Sequence, residues 1–117
     1  MELENNNVEN QNNLDINNTI NNYDYKSATH LPPFNTDYTE FDVSNYSDEC
    51  LRITIGTDGK NFKKITENNK IAYIYHNKSK KKIEIWGSKY KFGKVIQQIK
   101  NHLNWAYNYL YIRDHTL

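Results

Sequence analysis

The sequence predicts an α+β fold: a three-stranded antiparallel sheet covered on one face by three helices, in the order β-α-α-β-β-α. Three observations carry that reading. Phe41 and Val43 alternate with Glu40, Asp42 and Ser44, and two more runs rich in β-formers occupy 70–76 and 83–87; period-two alternation and β-branched or aromatic runs mark strands. Phe92, Val95, Ile96, Ile99, Leu103, Ala106, Tyr107 and Leu110 recur at three- and four-residue spacing, the apolar stripe of one long helix. Between the first and second strands, Ile55-Gly56-Thr57-Asp58-Gly59-Lys60 places two glycines in a short loop between two helix-patterned segments. Packing helices on one face of a sheet buries both apolar surfaces in a two-layer domain.

The charge distribution divides the chain before any element does. Residues 1–48 hold nine acidic side chains against one basic, Lys26, whereas 49–117 hold fourteen Lys and Arg against five Asp and Glu. The formal net charge of +1 therefore hides an acidic head on a basic body, an arrangement suited to a polyanion-binding face with a tail able to compete for it. Mean hydropathy is −0.97, and the Asn-rich start sustains no period. Residues 1–36 are accordingly expected to form a disordered acidic tail, because so few apolar groups do not offset the ordering entropy. Leu31-Pro32-Pro33-Phe34 runs extended, and residues 37–117 form the single domain.

Within the domain, Ser47 is placed to cap the first helix, with Asp48 and Glu49 in its first turn and Leu51 and Ile55 one turn apart. The second helix leaves Gly59 with Phe62 and Ile65 inward and Lys60, Lys63 and Lys64 outward, and ends at Asn68-Asn69. A basic hairpin loop, Asn77-Lys78-Ser79-Lys80-Lys81-Lys82, joins the last two strands.

Several functions lack the residues they need. The single cysteine, Cys50, permits no internal disulfide and fits a reduced compartment. His30, His76, His102 and His115 are scattered without ligand spacing, so no metal site is expected. There is no Walker-type loop, paired carboxylates or nucleophile–base pattern, so the chain reads as a non-enzyme without catalytic residues or cofactor. No apolar run approaches the roughly 18 residues of a membrane span, and the start Met1-Glu2-Leu3-Glu4 is unlike a signal peptide. A cytoplasmic protein with no membrane partner is expected.

From about Tyr38 to Tyr107 the chain resembles a KH domain of the eukaryotic, type I arrangement. The resemblance rests on the element order, on the Ile-Gly-x-x-Gly junction from Ile55 to Gly59, and on Phe62-Lys63-Lys64-Ile65 in the second helix. Ile85-Trp86-Gly87, ending the last strand, fits as well. It implies a groove for single-stranded RNA or DNA in which backbone contacts dominate. Transferred by position, Gly56, Thr57, Asp58 and Gly59 would clamp a phosphate with Lys60, and Lys63 would flank them. Lys78, Lys80, Lys81 and Lys82 would form the opposite lip. Ile53, Ile55 and one face of 71–76 would supply the floor, with Tyr73 or Tyr75 available to stack on a base. Two positions depart from the family pattern: Asp58 stands where a basic residue is usual, and Arg52 where many members have glycine.

Two functions follow. One is sequence-tolerant binding of single-stranded RNA or DNA; the alternative is a degenerate KH-fold module for protein interaction or dimerisation. Gln98, His102, Trp105, Tyr109 and Ile112 form a second stripe on the last helix. Either Pro33-Phe34 or Tyr38 folds back over it, or it meets a second copy or another KH protein.

Overall fold

The computed structural model describes residues 23, 25–28 and 30–116. Strand β1 (Asp37–Asp42) is followed by helices α1 (Asp48–Ile55) and α2 (Lys60–Asn69), then by strands β2 (Tyr73–Asn77) and β3 (Lys82–Gly87), and by the long helix α3 (Phe92–His115). The α+β class with a three-stranded antiparallel sheet is thus present. Strand β3 lies in the middle of the sheet, pairing antiparallel with both β1 and β2.

Local chemistry explains the element ends. Ser47 caps α1 as expected, its hydroxyl accepting from the Cys50 N–H at 3.1 Å. Helix α2 runs to Asn69, and Lys70 turns the chain through the left-handed region, φ 54°. That turn delays β2 to Tyr73, later than the β-forming run from Lys70 implies. Ile71 instead packs under Gly87, where a Cβ would stand 2.7 Å from that of Ile71. Glycine permits this close approach between the entry to β2 and the end of β3.

The register separates two faces. Ile74, Ile83 and Ile85 join Leu51, Phe62, Ile65, Phe92, Val95, Ile99 and Leu103 in one core, with Phe41 packed against it. This is the helix-covered face. On the other face Tyr38 and Tyr73 flank Trp86, Glu40 and Tyr75 flank Glu84, and Asp42 and Asn77 flank Lys82. That outer face is covered too: Trp86 is 0% and Glu84 1% exposed.

Its cover comes from the described part of residues 23–36, a stretch whose composition alone places it in a disordered tail. Tyr23 meets Trp86 and Tyr38 edge-on, and His30 stacks on Tyr75 with ring centres 3.7 Å apart. Glu84 accepts from the Tyr23 hydroxyl at 3.3 Å, lies 3.2 Å from His30 Nε2, and accepts from Asn77 at 3.0 Å. Tyr25 stacks on Phe34 and donates to the Pro33 carbonyl. Over the described part of 23–36 the structure thus shows an aromatic strap on the sheet where a tail is expected; the rest of that expectation, residues 1–22, 24 and 29, lies outside the described residues.

Candidate nucleic-acid interface

The glycine loop is shaped by its backbone and by one asparagine. Gly56 lies at φ 86° and Gly59 at φ 75°, values that favour glycine. A Cβ on Gly56 would also stand 3.0 Å from the backbone nitrogen and side chain of Asn61. Asn61 reaches back from α2 to donate to the carbonyls of Ile53 and Thr54, at 3.3 and 3.2 Å. It thereby satisfies acceptors at the open end of α1 and sets the angle between the two helices. Asp58 occupies the left-handed region, φ 56°, ψ 25°, with its side chain exposed.

No side chain caps the start of α2; a tight turn over Thr57–Gly59 leads into it instead, with the Gly59 N–H donating to the Gly56 carbonyl at 3.0 Å and the Lys60 N–H to that of Thr57. The positive end of the helix dipole lies beside the loop. The loop stands at the middle of a groove with two connected sections. One, about 540 Å³, is lined by Ile55, Gly59, Phe62, Lys63, Ile74 and the edge of Tyr73 and Tyr75. The other, about 350 Å³, is lined by Leu51, Arg52, Ile55, Gly56, His76 and Lys78, with Asp48 at its rim. Ile55 and His76 border both sections. The far wall is β2, which pairs with β3 alone, so the backbone groups along its other side face the groove.

The charges on the groove wall are Arg52, Lys63 and Lys78 against Asp48 and Glu67. Burial, and then the nearby Lys78 ammonium, holds His76 below its ordinary value. At neutral pH the ring is therefore neutral and offers one donor and one acceptor in mid-groove.

The residues singled out from sequence distribute unevenly. Gly56, Gly59, Ile55, Lys63 and Lys78 line the groove; Thr57, Asp58 and Lys60 are exposed on or beside the loop. Ile53 faces away, lining a separate pocket with Asn61, Asn101, His102 and Trp105; on a helix it cannot share one side with both Leu51 and Ile55. Tyr73 and Tyr75 touch the groove at its edge, but their rings lie on the outer face with Trp86 and His30. Lys82 is also on the outer side, in an ion pair with Glu40. Burial opposes ionisation of Glu40, but hydrogen bonds from Lys82 and Tyr38 outweigh it and hold the carboxyl below its usual value. Among the named hairpin lysines Lys78 is the one that borders the groove, with Lys80 and Lys81 exposed in the turn.

Arg52 and Asp48 are contributors that residue typing misses, whereas His76 belongs to the 71–76 segment expected as floor and does border the groove. Arg52 stands one turn before Gly56, whose N–H bonds its carbonyl at 3.0 Å, so the i, i+4 relation to the loop is a usable signal. Among the described residues no His, Cys, Asp or Glu group is arranged to hold a metal, and no helix is long and apolar enough to cross a membrane. No protein family, curated protein or solved structure matches the chain.

Proposed function

We propose that this chain is a KH-type, non-catalytic binder of single-stranded RNA, with single-stranded DNA as the close chemical alternative. The observation that carries the reading is a positive-φ glycine loop that opens α2 and lies directly beside an apolar-floored groove. In this reading a backbone phosphate lies against the Gly56–Gly59 loop, drawn by the positive end of the α2 dipole. Lys63, Lys78 and Arg52 attract the flanking phosphates, and the bases lie over Ile55 and Ile74. The open edge of β2 and the His76 ring offer hydrogen bonds to base edges, as expected for unstacked nucleotides.

Titrating labelled RNA and DNA pools of about eight nucleotides onto the full chain at two salt concentrations tests this. Binding should weaken with salt by about 0.7 in log–log slope for each phosphate held. Failure of both pools to bind at low salt overturns the proposal.

A further inference from the structure

The second half of α3 presents a surface that neither the core nor the groove uses. Residues 101–112 contain no Asp, Glu, Lys or Arg in a chain that is 25% charged. Trp105 and Ile112 on that segment are 61% and 62% exposed, and Tyr109 is 47% exposed. His102, Trp105, Tyr109 and Ile112 follow three- and four-residue steps, so they share one side of the helix. The rings of Trp105 and Tyr109 are stacked, 5.4 Å apart and within 6° of parallel, which makes a flat ridge. Beside it lies a pocket of about 450 Å³ lined by Ile53, Asn61, Asn101, His102 and Trp105.

The two segments expected to cover this ridge are committed elsewhere. Phe34 stacks on Tyr25, and Tyr38 is buried against Trp86 on the outer sheet face. The expectation that either folds back over α3 is therefore not met.

We infer that this face pairs with the same face of a second copy, the two α3 helices lying antiparallel about a two-fold axis. Ridge and pocket lie on one surface, as a self-complementary interface requires. The ridge is uncharged, so a second copy brings no like-charge repulsion, and a charged partner finds no complement there. Aromatic enrichment with depleted charge is the composition of interface centres. Antiparallel pairing centred between Trp105 and Tyr109 sets each Trp105 against the other copy's Tyr109, and each His102 against its Ile112. The second copy's Tyr109 and Ile112 then stand at the mouth of the pocket. The exposed parts of these side chains offer on the order of 400 Å² per copy, below the roughly 800 Å² of a standard interface. A weak, concentration-dependent dimer follows. The inference does not depend on the groove, whose lining includes none of the ridge residues His102, Trp105, Tyr109 and Ile112.

Sedimentation of the full chain from about 5 to about 500 µM, without nucleic acid, tests it. The expected result is a monomer–dimer equilibrium that Trp105→Glu abolishes and Tyr107→Glu leaves intact. Tyr107 is also exposed but lies roughly 200° round the helix from Trp105. Circular dichroism of each variant confirms an unchanged fold. The paired substitutions His102→Cys and Ile112→Cys should give a covalent dimer under mild oxidation, since the native Cys50 is only 2% exposed. A monomer throughout the range, or a dimer indifferent to Trp105→Glu, overturns the inference. Absence of the covalent dimer overturns the antiparallel arrangement.

Discussion

Asp58 combines two properties that pull in different directions for binding. It holds a left-handed conformation, which Asp and Asn tolerate better than most residues, and its carboxylate stands beside the place proposed for a phosphate. Two like charges about 5 Å apart in near-bulk water repel by roughly 1 kcal/mol. Asp58→Asn removes the charge and keeps the backbone preference, so RNA should bind about fivefold tighter at low salt with an unchanged thermal melt. Asp58→Lys would add attraction but place lysine in the left-handed region at a cost of about 1 kcal/mol. An Asp58→Asn variant with unaltered affinity would mean that no phosphate lies beside the loop. Gly56 supplies a structural counterpart. Gly56→Ala meets both an unfavourable φ and the 3.0 Å approach of Asn61, and should cost about 2 kcal/mol, read from the urea midpoint. A neutral outcome would contradict the Asn61 arrangement.

The strands and the strap define what the elements add. Lys63 and Lys78 border the groove, while Lys82 is held by Glu40 on the other side of the sheet. Replacing Lys63 and Lys78 with Ser should reduce the salt slope of RNA binding by about 0.7 for each phosphate no longer held, and Lys82→Ser should leave it unchanged. Equal slopes for all three proteins would place the ligand elsewhere. On the outer face, burial foremost, and then Glu84 for Tyr23 and the Glu40 hydrogen bond for Tyr38, push both phenols well above their ordinary value. A raised folded-state value means that the folded chain holds the proton more tightly. The associated stability is therefore complete below the ordinary value of 10.0 and is lost as pH rises above it. Thermal melts at increasing pH should fall from about pH 10 onward, and less steeply in Tyr38→Phe. A parent melting temperature that stays flat through that range would show that these phenols are not buried as described.

Across the molecule, the acidic head and basic body are physically joined, because the head's final segment is part of the folded domain. Much of this architecture is legible in the sequence. The α3 stripe apart from Tyr107, which is exposed, the Ser47 cap and the glycine loop each follow from a local signal: periodicity, a capping side chain, or residues that suit positive φ. The outer face is not legible. Ile83, Glu84, Ile85 and Trp86 are all buried, and a strand covered on both sides loses the alternation that would reveal its partners. The partner itself, with Tyr23, Tyr25 and His30 scattered among polar residues, has neither the period nor the hydropathy of an element. Only long-range packing selects it. The hairpin lysines mislead for a related reason: adjacent positions in a tight turn and strand point to different sides, so a run of like residues in sequence divides between two faces in space.

The proposed function stands or falls on whether single-stranded nucleic acid lies between the glycine loop and the free edge of β2. Backbone amide shifts of the labelled full chain, followed during titration with a short single-stranded RNA, locate the ligand residue by residue. The largest changes should fall on Gly56, Thr57, Gly59, Lys60 and Asn61 and on Tyr73 through Asn77, with Trp86, Trp105 and Tyr109 little affected. Changes concentrated on the outer sheet face or on α3, with the loop amides unmoved at saturation, would contradict it.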